Sequence, residues 1–332
     1  MIPSSLSSSS NKERGRANWN NDVLFDIEHL PFVPDTENYF PYTKGMLHRK
    51  GSRERGGMSE YARKHYVNNI AKYWDKFFKV NQDKFFKNRQ WMLREYVQLT
   101  QAIKRNDRFN YCEIGCGCGN TINGILANVH SVNDKFNSSN QMDIYGFDCS
   151  EHAIKILREQ YRDAPNVHLF VHDLLSEEGV VLTSQMAENI PQDEFLRRHL
   201  PPKPHSINYS SMIFVLSALS SLDDMKRIIN TKIYELLAQN GILFLRDYAV
   251  NDLAHYRYLN EKDIYTKQLS EECFVRGDGT LVYFFSIDSL KSLFNEDKFQ
   301  IISCEYVDKV VENKGEGLTM NRKFIQLICR AK

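Results

Sequence analysis

The stretch Tyr111-Cys112-Glu113-Ile114-Gly115-Cys116-Gly117-Cys118-Gly119-Asn120 joins a short apolar run, residues 109–114, to a helical pattern that starts at 119. Glycines between a strand and a helix let the backbone turn tightly and come close to a ligand, and the helix N-terminus presents free N–H groups. The dinucleotide fingerprint G-x-G-x-x-G fails here, because Asn120 stands where its last glycine should be. What remains is E-x-G-x-G-x-G, with Glu113 at the strand tip. The next apolar run closes on Gly146-Phe147-Asp148, and the third on His172-Asp173-Leu174. Acidic residues closing the second and third strands, beside a glycine loop closing the first, line one crevice at the carboxyl ends of a parallel sheet. There Asp148 can accept both hydroxyls of a ribose, and Asp173 can accept from an exocyclic adenine amine. A nucleoside without a pyrophosphate suits this set better than a dinucleotide.

Around the motif, short apolar runs alternate with helical stretches: 109–114, helix 119–130, 142–148, helix 150–163, 167–172, 210–218, helix 223–239 and 241–247. That alternation predicts an α/β fold, a doubly wound and mostly parallel sheet, closed by two further strands near 299–307 and 322–330. Long insertions interrupt it near 175–208, which holds Pro191, Pro201, Pro202 and Pro204, and near 251–285. The second insertion centres on Arg276-Gly277-Asp278-Gly279-Thr280, turn chemistry between two β-rich runs. Residues 109–332 are expected to form the main domain. Residues 59–108 read as a basic, aromatic helical segment with a break near 81–83, and 1–58 as a disordered or irregular arm.

The chain has 332 residues, 42% of them hydrophobic, which is enough for a large core. No run approaches the roughly 20 apolar residues of a membrane helix, so a transmembrane protein is excluded. Seven cysteines show no C-x-x-C pair. Cys112, Cys116 and Cys118 crowd the glycine loop without a matching distal pair, so they read as small core side chains, and no metal is expected. The start, MIPSSLSSSSNKERGR, lacks the apolar centre of a secretory leader. Glu13 and the missing amphipathic pattern weigh against a mitochondrial address, and a cytoplasmic location is expected with nucleus and mitochondrion left open. The net charge of +1 hides an asymmetry, because Lys44 to Arg108 holds 17 Lys+Arg against 6 Asp+Glu. Tyr73, Trp74, Phe77, Phe78, Phe85, Phe86, Trp91 and Tyr96 are interleaved there with Lys72, Lys76, Lys79, Lys84, Lys87, Arg89 and Arg94. Rings beside cations can stack and hold unpaired bases. The spacing of Trp74, Phe77 and Phe78 is also one helical stripe, so many of these rings are expected to face a core.

The glycine motif with its two acids resembles the class I (Rossmann-like) S-adenosylmethionine-dependent methyltransferases over residues 108–250. The resemblance narrows further. Tyr73-Trp74-Asp75-Lys76-Phe77-Phe78 with Asn81, Lys84-Phe85-Phe86-Lys87, Arg89 and Trp91 is similar to the segment before the core in the eukaryotic tRNA 3-methylcytidine methyltransferases. So are Ile213-Phe214-Val215-Leu216-Ser217-Ala218-Leu219, Arg246-Asp247-Tyr248, Phe274 to Thr280 with Tyr283-Phe284-Phe285, and Asn313 to Leu318 with Arg322. This implies methyl transfer from S-adenosyl-L-methionine to N3 of a tRNA cytidine, conventionally position 32 of the anticodon loop. The chain departs from the family pattern at Leu281, where arginine is common, and in its long 175–208 segment. Its arm lacks the Trp-rich segment of the threonine-tRNA branch and is closer to the serine-tRNA branch, some of whose members work with seryl-tRNA synthetase. The resemblance thus points to tRNA-Ser as substrate and to that synthetase as a partner.

Cytosine N3 carries a lone pair at neutral pH, so no general base is needed, and methylation makes the base cationic. The site must hold the ring in line with the methyl group and place negative charge nearby. The base must also be unpaired or flipped, because N3 lies on its Watson–Crick edge. Asp247, at the tip of the fifth strand, is the candidate carboxylate; Tyr248 and Phe214 are candidate base contacts, and Arg246 would bind phosphate or orient Asp247. The alternative for Asp247 is a helix cap or an ion pair with Arg246. Glu113, Gly115, Gly117, Asp148, Asp173, Leu174 and Val215 are the expected cofactor residues, with Trp74 and Phe78 as a lid. Lys76, Lys84, Lys87, Arg89, Arg276 and Asp278 are candidate tRNA contacts, the last two alternatively ordering their hairpin. Two other readings remain at this stage: a methyltransferase acting on a small molecule or protein, and a non-catalytic RNA-binding subunit of the same fold.

Overall fold

The computed structural model describes residues 58–332 apart from 87, 90, 106, 137–141, 189–190, 261–263 and 314–317. The N-terminal arm therefore lies outside the described residues, as does Lys87. Four helices come first: α1 (Glu60–Val67), α2 (Ile70–Asn81), α3 (Met92–Glu95) and α4 (Val97–Lys104). The expected break follows α2, where Gln82 turns the chain with φ of 51°. Strands and helices then alternate through β1 (Phe109–Ile114), α5 (Asn120–Phe136), β2 (Met142–Asp148), α6 (Glu151–Gln160) and β3 (Val167–Val171). After β3 come α7 (Ser184–Glu188) and α8 (Glu194–Arg198), then β4 (Ile207–Ile213). A helix next runs from α9 (Leu222–Ile228) through a π-turn at Ile229–Ile233 into α10 (Tyr234–Leu236), and β5 (Leu237–Tyr248) follows. The remainder is α11 (Leu253–Asn260), α12 (Ile264–Lys267), β6 (Gln268–Ser270), β7 (Cys273–Val275), β8 (Leu281–Tyr283), α13 (Ile287–Lys291), β9 (Phe299–Asn313) and β10 (Leu318–Ala331).

The large sheet has the order β3-β2-β1-β4-β5-β10-β9. Its first five strands are parallel, and β10 pairs antiparallel with both β5 and β9. Strand order reverses between β1 and β4, so a ligand crevice opens at the carboxyl ends of those two strands. The pleat sorts side chains onto two faces. Tyr111, Ile144 and Phe244 pack with Tyr96, Leu99, Ile122, Ile125 and Leu157 from α3–α6. Cys112, Leu243 and Leu245 pack with Met225, Ile228 and Leu236 from α9–α10 and with Leu290 from α13. This is the doubly wound arrangement that the alternation predicts.

Both insertions carry structure of their own. In the first, His199 just after α8 accepts from the Leu169 N–H at 3.1 Å through Nδ1, so this segment covers the outer edge of β3. In the second, β6, β7 and β8 form a separate antiparallel sheet. Its Arg276–Thr280 turn is closed by Arg276 N to Thr280 O at 2.8 Å. Asp252 anchors the start of this insertion, accepting both Arg322 Nε and Nη2 at 3.0 Å and the Lys323 N–H at 2.7 Å.

Candidate active site

The crevice over β1 and β4 brings together side chains from seven stretches of chain, from Ile70 to Arg276. At one end lies the glycine loop. Gly115 and Gly117 have φ of 64° and 51°, a region that L side chains rarely adopt. A Cβ on Gly115 would stand 2.5 Å from Val215 Cγ2, and one on Gly117 would stand 2.9 Å from Phe78 Cζ. The loop is thus closed on both sides by the residues that flank it. Asp148 holds it in place, accepting Gly117 N–H and Ser150 N–H at 2.9 Å each. Ser150 in turn caps α6, its hydroxyl accepting from Ala153 N at 3.1 Å. Burial pushes the Asp148 carboxyl above its ordinary value despite these two bonds. Glu113 accepts from Ile122 N at 3.2 Å, and burial pushes its carboxyl up to about 7, with the nearby Arg89 charge opposing that rise. Asp173 and Leu174 line the same end, and Asp173 accepts Leu175 N at 2.9 Å.

The other end is aromatic and cationic. Phe214 follows β4 with φ of 61°. A bulky residue in the left-handed region is strained by about 1–2 kcal/mol. It is held there by its N–H to Arg246 O at 2.8 Å and by packing against Tyr248, with ring centres 4.8 Å apart. The Arg89 guanidinium lies 5.4 Å from the Phe214 ring and donates to Ile213 O at 3.3 Å. The Arg276 guanidinium stands 5.4 Å from the Tyr248 ring and 6.0 Å from the Trp74 ring, bridging the insertion to α2. It donates to Leu281 O at 2.9 Å. Trp74 and Phe78 line the crevice from α2, where the lid was expected. Most of the other rings in the basic segment do not reach it. Phe77 is packed with Phe78, Phe85 and Phe86, and Tyr96 is stacked on Phe244 in the core.

Arg246 lies elsewhere than expected, and for Asp247 and Asp278 the structure shows the alternative role. Arg246 shares the pleat side of Phe244, so it faces α3, where it pairs with Glu95, donates to Gln326 Oε1 at 2.6 Å and lies 3.9 Å over the Trp91 ring. It does not line the crevice. Asp247 shares the side of Leu243 and Leu245 and is fully buried. It accepts Ser217 N at 3.0 Å and Tyr248 N at 2.9 Å, which makes it the cap of the Leu216–Ala218 turn and not a carboxylate beside the base. Asp278 orders its own hairpin, accepting Thr280 N at 2.9 Å and Thr280 Oγ1 at 2.6 Å. Lys76 and Lys84 are exposed outside the crevice. Sequence reasoning missed Phe86, Asn120, Phe147, Cys149 and His172 among the lining residues. For Asn120 a signal was present, since it opens α5 beside the glycines. Its Nδ2 donates to Phe86 O at 2.7 Å and so ties the loop to the basic segment.

Residues 65–304 match the methyltransferase domain family. The chain is 30% identical to the tRNA N(3)-methylcytidine methyltransferase trm140 of Schizosaccharomyces pombe, across 79% of this chain and 74% of that protein. The chain belongs to this methyltransferase family. It is 29% identical to the human tRNA N(3)-cytidine methyltransferase METTL6, across 83% of this chain and 86% of that one. The tRNA(Thr) (cytosine(32)-N(3))-methyltransferase of Saccharomyces cerevisiae is 30% identical across 81% of this chain, which spans 38% of that longer protein.

The methyltransferase crevice fits S-adenosylmethionine by its donor set. Asp148 lines the crevice at the tip of β2, and the glycine loop presents bare backbone. Three carboxylates, Glu113, Asp148 and Asp173, oppose the cofactor's positive charge. Trp74 adds a buried indole N–H that has no partner among the described residues. Also among the described residues, no group of His, Cys, Asp and Glu could hold a metal ion, and no helix is long and apolar enough to cross a membrane.

Proposed function

We propose that this chain methylates N3 of cytidine 32 in the anticodon loop of a serine tRNA, with S-adenosylmethionine as donor and seryl-tRNA synthetase as helper, in the cytoplasm. The observation that carries the reaction is the single crevice with a carboxylate-lined nucleoside end and an aromatic, guanidinium-flanked end. The Saccharomyces cerevisiae relative, a cytosine(32)-N(3) methyltransferase, supports position 32. The serine assignment follows from the N-terminal arm's resemblance, and the location from a reducing compartment that suits seven unpaired cysteines.

When bound, S-adenosylmethionine supplies an electrophilic methyl group on a cationic sulfur. The chain's own residues orient and shield. Glu113, Asp148 and Asp173 hold the cofactor end. Phe214 and Tyr248 present ring faces to a flipped cytosine, and Trp74 with Phe78 exclude water from the α2 side. N3 needs no proton removed, so the base end needs no general base. With Asp247 turned away, the ring faces of Phe214, Tyr248 and Trp74 provide the electron-rich surface that favours a cationic base. The outer basic surface, with Lys76 and Lys84, would meet tRNA phosphates.

Nucleoside mass spectrometry tests the reaction. Recombinant chain and S-adenosylmethionine, added to unmodified serine-tRNA and threonine-tRNA transcripts with and without seryl-tRNA synthetase, should produce 3-methylcytidine in the serine transcript, and more with the synthetase. Methylation of threonine tRNA alone would overturn the serine assignment, and no 3-methylcytidine in either would overturn the reaction. In Lys76→Glu/Lys84→Glu, tRNA affinity should fall about tenfold at low salt, with a shallower dependence on salt concentration. An unchanged slope would mean that neither lysine meets a phosphate.

A further inference from the structure

Lys232 lies in the π-turn Ile229–Ile233, and only 5% of its surface is exposed. It falls on the apolar stripe of Met225, Ile228, Ile229 and Leu236, all fully buried. A lysine in such a stripe needs a built partner, since an unpaired buried charge is strongly disfavoured. π-turns inside helices recur at functional sites. Lys232 Nζ donates to Ser176 O at 2.7 Å and stands 3.4 Å from Ser176 Oγ and 3.5 Å from His172 Nε2. Ser176 closes the loop that follows β3. Its N–H and Oγ both donate to Asp173 O, at 3.0 and 2.7 Å, while Asp173 Oδ1 accepts Leu175 N at 2.9 Å. The front of the loop is tied to the tip of β2 by His172 N to Asp148 O at 3.0 Å. His172 and Asp173 line the crevice; Lys232 stands behind them and is not among the lining residues.

We propose that Lys232 is a positioning residue for the cofactor: its ammonium pins the Ser176 carbonyl and, through the Ser176–Asp173 turn, sets His172 and Asp173 against the bound nucleoside. This rests on the assignment of the crevice to S-adenosylmethionine. Burial and the Lys232 charge push the His172 imidazole down to about 4, so the ring meets the crevice neutral, edge-on to Phe147 with centres 5.6 Å apart. A neutral ring avoids repelling the cofactor's sulfonium. The charges of Arg227, Asp173, Glu177 and Glu178 also act on Lys232. The three acids favour its charged form, against burial and Arg227.

The test uses the full chain as wild type, Lys232→Met, Lys232→Arg and Ser176→Ala. S-adenosylhomocysteine binding is measured by calorimetry, tRNA-transcript binding by fluorescence anisotropy without cofactor, and the His172 imidazole by NMR titration. Lys232→Met should weaken S-adenosylhomocysteine binding at least tenfold, leave tRNA binding within twofold, and move the His172 titration upward. Lys232→Arg should recover most of the affinity, and Ser176→Ala should lose about threefold. Lys232→Met that binds S-adenosylhomocysteine like wild type overturns the proposal. Should Lys232→Met not fold, Lys232→Gln, which removes the charge and shortens the reach to the Ser176 carbonyl, overturns it by binding S-adenosylhomocysteine like wild type. Failure of the wild type to bind S-adenosylhomocysteine would overturn the crevice assignment itself.

Discussion

Asp148 closes β2 and Asp247 closes β5, and each carboxylate accepts two backbone N–H groups. One of the two comes from the loop after the neighbouring strand: Gly117 after β1 for Asp148, and Ser217 after β4 for Asp247. In sequence the two look alike, an acid at the tip of a parallel strand. Only Asp148 reaches the crevice. Counting along the pleat, it shares a side with Met142 and Ile144, whereas Asp247 shares one with Leu243 and Leu245. One step of a period-2 pattern therefore separates a ligand-binding acid from a capping acid. The comparison teaches that a strand-tip carboxylate gives the place of a site but not which side of the sheet it serves.

The comparison can be broken first, and with the largest expected effect, through stability. Burial pushes the Asp247 carboxyl up from 3.8 to about 6. Between about pH 4 and 6 the folded chain keeps a proton that the unfolded chain has released. Stability therefore falls as pH rises through that window, by about 1.4 kcal/mol per unit from this group. The penalty is absent below the lower value and complete above the upper one, roughly 3 kcal/mol in all. Asp247→Asn removes the ionisation, so thermal melts of wild type and variant should draw apart by several degrees between pH 4 and 7, with the wild type gaining at the acid end. A difference that does not change with pH would mean that Asp247 is solvated, and that the two acids differ for some other reason.

The second test sharpens the contrast at the ligand. Asp148→Ala should lower S-adenosylhomocysteine affinity at least about 100-fold, because charged hydrogen bonds to a ribose and the anchor of the glycine loop go together. Asp247→Asn should stay within about threefold at pH 8, the effect of one small neighbouring shift and below 1 kcal/mol. Calorimetry on both variants decides. Equal losses would place Asp247 in the cofactor site after all.

The part of the molecule that could be read from sequence is the part written locally. Residues 109–120 carry a strand, its glycines and the helix start in one string, and β2 and β3 end in their acids within a residue or two of the expected boundary. The aromatic end resisted the same treatment. Phe214, Tyr248, Arg276 and Arg89 come from segments separated by up to 187 positions, and no local period reports that they converge. Strand tips were legible, but side was not. For Arg246-Asp247-Tyr248 the pleat count from Phe244 was available, yet without knowing which helices cover which face it selects nothing. Lys232 is the opposite case, a charged residue out of phase with an apolar stripe, and that signal was visible in the sequence. The 175–208 and 251–285 segments were recognised as insertions by their polarity and turn residues. That the second folds into a sheet carrying Arg276 to the crevice depends on the Asp252–Arg322 pair, whose members are 70 positions apart.

Arg246 and Arg276 repeat the comparison with the sign of the charge reversed, and they give the smallest expected effect. Arg246 is enclosed by Glu95, Gln326 and the Trp91 ring on the α3 side of β5, two residues before Tyr248, which shares that side and reaches the crevice. Arg276 stands between the Trp74 and Tyr248 rings at the crevice. Arg276→Gln keeps a donor for Leu281 O but removes the charge, so kcat/KM for tRNA should fall about tenfold, near 1.4 kcal/mol, with S-adenosylhomocysteine affinity within twofold. Arg246→Met should do the reverse. It breaks a buried ion pair and lowers Tm, while the kcat/KM of the folded fraction stays at the wild-type value. Steady-state kinetics with a serine-tRNA transcript, corrected for the folded fraction by circular dichroism, distinguishes the two arginines. If Arg246→Met loses turnover in proportion to Arg276→Gln, Arg246 acts on the base after all, and its enclosure by Glu95, Gln326 and Trp91 stops being what separates it from Tyr248, which shares its pleat side and lines the crevice.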